Sequence, residues 1–445
     1  MSEFATGKND NFVFAGCDTV KLAEKYGSPL LVYDEMMIRN NSRRLKNTLK
    51  KYYGNQSRVV YAGKAFMSLE MCRLAREEEL YLDVVSGGEL YTALKAGFPP
   101  ERILFHGNNK SKDELAMAIR AGVGRIIIDN FLEIEMLQRL CEEEDTSVDA
   151  MLRITPGVDA HTHEYVNTGH IDTKFGFTLE NGTADRAVEE VLLSPQITLK
   201  GFHCHIGSQV FIDEPYLRAA EVMLQFSKRM EDRFGYRVQE LNLGGGFGIQ
   251  YTEDDTPEEP SVILKSIAAK VHELVAELGL EKPAIYIEPG RSIVGEAGIT
   301  IYQIGAVKDI PGIRKYVSVD GGMADNIRPA LYGSRYSAII ASKPTREPEE
   351  LVSIAGKCCE SGDMLIKDIK LPRAEPGDYL VVFSTGAYHY SMASNYNRLP
   401  RPAVVFASEG QARLVVKRET YSDLIKNDLI YSQKESGKLD EKQVS

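Results

Sequence analysis

The chain reads as an α/β protein, a (β/α)8 barrel with a C-terminal all-β domain. Three observations carry that reading. Eight short β-rich runs alternate with stretches of helical period between residues 58 and 290. The first four runs start at residues 59, 81, 103 and 125, a spacing of 22 residues, about one strand–helix unit. After residue 295 the helical period gives way to β-branched and aromatic runs divided by Gly, Pro and Asp turns. An open doubly wound sheet shares the alternation, but eight successive repeats favour closure.

The strands expected, in order, are Val59–Tyr61, Tyr81–Val85, Ile103–Phe105, Arg125–Ile128, Ala150–Ile154, Leu199–His203, Leu241–Leu243 and Ala284–Ile287. Amphipathic helices fall between them, at Leu69–Glu79, Gly88–Ala96, Asp113–Ala121 and Phe131–Glu143. The second domain is expected from Ile299–Val307, Lys315–Val319, Leu351–Ala355, Tyr379–Phe383, Ala403–Ala407 and Ala412–Val416. The acidic stretch Tyr251–Pro260 reads as a solvated insertion after the seventh strand, and Pro344–Glu350 as an exposed loop. The organisation expected is an N-terminal segment, 1–35, packing with the β domain, then a barrel over 36–294. A β domain over 295–430 and a polar tail over 431–445 follow.

Composition narrows the function class. The 445 residues carry a net charge of −11, with no basic block or basic amphipathic helix, so neither nucleic acid nor an anionic membrane is an expected partner. No apolar run approaches the ~20 residues of a membrane span. The opening Met1-Ser2-Glu3-Phe4 lacks a basic stretch followed by an apolar one, so the cytoplasm is the expected location. Six cysteines without C-x-x-C spacing make no disulfide framework. In the adjacent pair Cys358-Cys359, side chains alternate, so one at most faces a given pocket.

Barrel enzymes place their chemistry at the carboxyl ends of the strands. There the sequence gathers Gly63-Lys64, Ser86–Glu89, His106–Asn109, Arg153, His205–Ser208, Gly244–Gly246 and Glu288–Arg291. Glycine loops after the seventh and eighth strands, Gly244–Gly246 and Gly290, suit a phosphate, because bare backbone N–H groups can approach an anion. Lys64 alone would pass for a rim lysine. Opposite a phosphate site it gains a second reading, a Schiff base with an aldehyde. An aldehyde that bears a phosphate suggests pyridoxal 5'-phosphate, with Glu288 for the ring nitrogen and His205 for the ring face.

These residues resemble the alanine-racemase-like (fold-type III) pyridoxal-phosphate enzymes and, within them, the diaminopimelate decarboxylases. The resemblance runs from about Gly27 to about Tyr421. It is carried by YAGKAF (61–66), DVVSGGEL (83–90), GVDAHTHEYVNTG (157–169), KFGF (174–177), HCHIGSQ (203–209) and LGGGFG (243–248). EPGR (288–291), DGGMADNIRPALYG (320–333), CESGD (359–363) and GAY (386–388) complete it.

The resemblance implies that Lys64 carries the cofactor, His205 stacks on its ring, and Ser208, Gly245 and Gly246 hold its phosphate. It puts Glu288 on the pyridine nitrogen, has Gly290 and Arg291 add phosphate and substrate contacts, and makes Arg328 and Tyr332 a substrate-binding pair. Tyr388 would touch both cofactor and substrate. Cys359, as proton donor, and Glu360 would reach the site from the second subunit of a homodimer. His106 and Asn108 fall near the pocket without an assigned role. The implied reaction is decarboxylation of meso-2,6-diaminopimelate to L-lysine and CO2, the last step of lysine biosynthesis by that pathway.

Arg291 and Arg328 can form bidentate pairs with carboxylates, and with Glu360 they suit a substrate carrying a second amino-carboxylate. In the related ornithine enzymes an aspartate follows the cysteine; here it is Glu360. Sister decarboxylases of ornithine, arginine or carboxynorspermidine are the alternative. A catalytically silent regulatory homologue is a further one, disfavoured because Lys64, Glu288, Cys359 and Tyr388 are all present. His161-Thr162-His163 and His203-Cys204-His205 offer alternating ligands, but without a further cluster in the sequence no metal is expected. Cys358 reads as a small buried apolar residue.

Overall fold

The computed structural model describes residues 6–7, 10–158 and 173–430. Eight parallel strands run in the order Ser57–Ala62, Tyr81–Val84, Ile103–Phe105, Arg125–Ile128, Val148–Thr155, Ile197–His203, Glu240–Asn242 and Ala284–Ile287. The ring closes because Ile197–His203 pairs with Val148–Thr155 on one side and Ala284–Ile287 pairs with Ser57–Ala62 on the other. The barrel is therefore closed, as the repeat predicts.

Local chemistry places the helices. Ser68, Ser86, Ser111 and Asn130 each stand just before a helix and accept its third backbone N–H, which satisfies donors that the helix leaves unpaired. Their helices are Leu69–Glu77, Gly87–Lys95, Lys112–Ala121 and Phe131–Glu143.

Strand alternation then separates two environments. Tyr61, Leu82, Phe105, Ile126, Ile128, Leu152, Phe202, Leu241 and Ile287 face the helices in one large core. The residues of opposite parity face the barrel axis. At the amino end these are apolar: Val60, Leu104, Ile127, Met151 and Tyr286 pack together as a plug. Arg125 and Glu240, 2.6 Å apart, lie beside it. At the carboxyl end the same parity delivers Asp83, His106, Asp129, Arg153, His203, Asn242 and Glu288, all largely buried. A period of two residues thus builds both the plug and the polar floor above it.

The second sheet is mostly antiparallel. Its long strand Gly298–Ile310 pairs with Arg314–Val319, with Tyr379–Val382 and with Leu30–Asp34. Leu30–Asp34 also pairs, in parallel, with Ala403–Ser408, so a strand from the N-terminus sits inside a sheet made chiefly by the C-terminal part. Two strands here, Ala338–Ile340 and Met364–Leu371, were not expected from sequence. Met364–Leu371 carries Lys367, Asp368 and Lys370, so its apolar pattern is interrupted.

The Tyr251–Pro260 stretch differs from expectation at both ends. Tyr251 is buried in the apolar cluster of the second sheet, with Tyr302 and Tyr336, and Pro260 is buried at the first position of the helix Pro260–Leu278; Glu253, Asp254, Glu258 and Glu259 between them are exposed. An aromatic ring covers apolar surface that its acidic neighbours cannot. Among the described residues no helix is long and apolar enough to cross a membrane.

Candidate active site

A cavity of about 410 Å3 opens at the carboxyl end of the barrel. Lys64, Asp83, His106, Asn108, Arg153, Lys174, Phe175, His203, His205, Ser208, Glu288, Arg291, Arg328, Tyr332 and Tyr388 are among its lining residues. It continues into a nook of about 40 Å3 bounded by Ser208, Gly245, Gly246, Gly290 and Arg291. Lys64 and Glu288 border both.

Glu288 is the electrostatic centre of the floor. Its Oε1 accepts from Asn242 Nδ2 at 2.7 Å, and its Oε2 lies 3.1 Å from His203 Nε2. His106 Nε2 approaches Oε1 to 2.9 Å, a charge contact rather than a well-aligned hydrogen bond. Burial alone would push the Glu288 carboxyl up; His106 and His203 outweigh it and hold the group well below the usual carboxylate range. Burial brings His203 down to about 4, against the pull of Glu288, so this imidazole is neutral. His106 is pushed down by burial but raised overall by Asp83 and Glu288. Enclosure, then the charge of Lys64, drives His205 well below its ordinary value. Its neutral Nδ1 accepts the Gly245 N–H at 3.3 Å.

The glycine positions are backbone-packed cradles. A Cβ on Gly245 would stand 2.0 Å from the Glu288 carbonyl oxygen. One on Gly246, whose φ is +103°, would stand 2.3 Å from that of Gly207. Gly290 packs against Ala62 and Ala65 on the first strand and its turn. Ser208 Oγ accepts from Arg291 Nη2 at 2.7 Å, bringing a hydroxyl and a guanidinium to the same nook.

Two guanidiniums are buried without an anion among the described residues. Arg291 and Arg328 are 6% and 7% exposed, and among the described residues neither has a carboxylate within ion-pair distance. Arg291 donates to the Tyr251 hydroxyl and to Ser208. Arg328 donates to the Tyr336 hydroxyl at 3.0 Å and Ser334 Oγ at 3.2 Å. Their charges lie 4.8 and 5.7 Å from the Tyr388 ring. Burying a cation without a counter-charge is costly, so a site with two such cations is built for a ligand that brings negative groups.

The donor set fits a phosphorylated aromatic aldehyde. The nook is small, rich in backbone and hydroxyl donors, and flanked by Arg291. A lysine borders both spaces, and an ionised carboxylate lies at the floor.

Comparison with known proteins agrees with that fit. The family model described as "Pyridoxal-dependent decarboxylase, pyridoxal binding domain" matches residues 37–295. The chain is 55% identical over 414 residues to the diaminopimelate decarboxylase of Bacillus subtilis, covering 93% of this chain and 94% of that protein. The chain belongs to the diaminopimelate decarboxylases. Members of this family are pyridoxal-phosphate-dependent carboxy-lyases, and this chain is one. The solved structure of the M. jannaschii family member in complex with L-lysine has a TM-score of 0.89 at 34% identity, covering 97% of this chain and 98% of that one. The Helicobacter pylori family member, also with L-lysine, gives 0.82 at 31%, covering 91% and 98%.

Of the family-implied residues, Lys64, His205, Ser208, Glu288, Arg291 and Tyr388 converge on the cavity and nook, with Gly245, Gly246 and Gly290 at the nook and Arg328 and Tyr332 at the cavity. Cys359 and Glu360 do not join them: both are exposed on a loop of the second sheet, while Cys358 is buried. His161 and His163 lie outside the described residues. His203 and His205 both line the cavity, and folding adds His106 and Glu288 to His203, with ligand-type atoms within 4.8 Å of one another. Reasoning from the sequence gave no role to Asp83 or Asn242. The signal was available, since each is a polar residue at inward-facing parity near the carboxyl end of its strand.

Proposed function

We propose that the chain decarboxylates the D-centre of meso-2,6-diaminopimelate to give L-lysine. The two buried guanidiniums at one cavity, neither with a carboxylate partner among the described residues, carry this reading. The cofactor phosphate accounts for one of their partners, and a second carboxylate on the substrate accounts for the other.

Pyridoxal phosphate, when bound, supplies an electron sink for the pair left behind by CO2. The remaining work falls to the chain. Lys64 would supply the amine that holds the cofactor's aldehyde. Gly245, Gly246, Gly290 and Ser208 bind the phosphate through N–H and O–H donors, with Arg291 beside them. Glu288, kept ionised by His106 and His203, holds a proton on the ring nitrogen. Neutral His205 offers a flat, uncharged face to the ring. Arg328 takes the distal carboxylate in a bidentate pair, and Tyr332 and Tyr388 wall its arm.

Cys359 delivers the proton to the α-carbon and Glu360 takes the distal ammonium, both in the neighbouring site of a homodimer. Their exposure in one chain supports this arrangement. A cytoplasmic location belongs to the same reading. The test is CO2 and lysine release from meso-diaminopimelate, run against ornithine and arginine. Comparable turnover of either of the latter would overturn the substrate assignment.

A further inference from the structure

Behind the cavity, the second sheet buries a chain of polar groups that the proposed chemistry does not use. His389 and Tyr302 have no exposed surface, and Asp325 is 5% exposed. The Tyr302 hydroxyl donates to Asp325 Oδ2. His389 Nε2 lies 3.3 Å from the Tyr302 oxygen, 3.4 Å from Thr300 Oγ1 and 3.7 Å from Asp325 Oδ2. Thr300 in turn donates to Thr385 at 2.8 Å. Apolar residues of similar volume would fill such a space at lower desolvation cost, so the polar chain calls for another reason.

Its ends give one. Asp325 Oδ1 accepts the Gly322 N–H at 2.8 Å, fixing the loop that leads into the short helix Arg328–Tyr332. Asn326, the next residue, accepts the Arg328 N–H. His389 directly follows Tyr388, whose backbone holds a left-handed φ of 60°, an uncommon conformation for tyrosine that its surroundings must impose. Two segments remote in sequence, each ending in a residue of the substrate wall, are thus joined through Tyr302. Burial, then the charge of Arg328, brings His389 down to about 3, so it is neutral and serves as a hydrogen-bonding link.

We propose that Asp325, Tyr302 and His389 form a positioning chain that fixes Arg328 and Tyr388 for the substrate's distal amino-carboxylate. This rests on the reading of Arg328 given above.

The experiment uses the holoenzyme with L-lysine as the binding probe. It follows affinity by calorimetry, KM and kcat on meso-diaminopimelate, the visible absorption of bound cofactor, and thermal midpoint. Tyr302→Phe and His389→Leu should each weaken L-lysine binding by about 10-fold and raise KM in step, the size expected for losing one buried hydrogen bond. The values of kcat and cofactor absorption should hold. His389→Gln, which keeps a donor, should recover most of the affinity. Wild-type affinity in both disrupting variants overturns the proposal. Parallel loss of cofactor and L-lysine binding, or failure of Tyr302→Phe to fold, does so too, since either marks a merely structural role. Arg328→Met serves as the control: unchanged L-lysine affinity there would remove the underlying reading of Arg328 instead.

Discussion

The backbone N–H of Tyr388 donates to the carbonyl of Ala65 at 2.8 Å. Ser391 Oγ donates to the same oxygen at 3.1 Å. Ala65 ends the tight turn Gly63–Ala65 that carries Lys64 beyond the first barrel strand. The second sheet therefore grips the lysine-bearing turn from outside the barrel. The two domains build one site, and a change in either one reaches Lys64.

Lys64→Ala should abolish both turnover and the visible absorption of bound cofactor. Lys174 also lines the cavity, but among the described lysines Lys64 alone borders the glycine nook as well. The side chain is open to the cavity, so the thermal midpoint of the cofactor-free protein should scarcely move. Retained absorption together with turnover would end the assignment.

Mixing Lys64→Ala chains with Cys359→Ala chains should restore activity. In a symmetric dimer with shared sites, half the re-associated dimers are hybrids with one intact site of two, or about a quarter of wild-type activity. No recovery after mass spectrometry has confirmed subunit exchange would count against a shared site.

Arg328→Met should lower kcat/KM on meso-diaminopimelate by about 10- to 150-fold, the equivalent of roughly 1.5–3 kcal/mol for a charge-assisted pair. Cofactor absorption should persist, because Arg328 borders the main cavity and not the nook. Lysine would replace it poorly, lacking the planar fork. Steady-state kinetics beside an absorption spectrum decide the matter.

Glu89 gives a pH signature. Burial pushes its carboxyl up to about 7, against the Val85 N–H that favours the charged form. A raised acid binds its proton more tightly when folded. Its contribution to stability is therefore fullest below the ordinary glutamate range and declines as pH rises toward 7. Glu89→Gln removes that decline. The variant's thermal midpoint should gain on wild type between pH 5 and pH 8; a difference that stays flat across this range would refute the cause given.

Much of the site was legible because a barrel strand has only two faces. Arg153 lies in its strand, and Glu288 and His205 follow theirs, at the parity that points inward, and the regular spacing tells where each strand ends. Arg328 and Tyr388 were found only through the resemblance. They lie beyond the barrel, on connections of the second sheet, where no periodicity marks direction. Strand Met364–Leu371 was missed for a related reason, since the adjacent exposed charges Lys367 and Asp368 break the alternation.

The sequence by itself determined the eightfold repeat, the capped helices, the strand parity that separates plug from floor, and the family. Local backbone geometry and side-chain period fix these within some twenty residues of chain. Only the tertiary structure decided which groups share a charge. The pairing of His106 and His203 on Glu288, the meeting of Arg291 and Arg328 at one cavity and the grip of Tyr388 on Ala65 join residues far apart in the chain. Electrostatic and hydrogen-bonding energies depend on distance in space, and the chain sets that distance only once its barrel is closed.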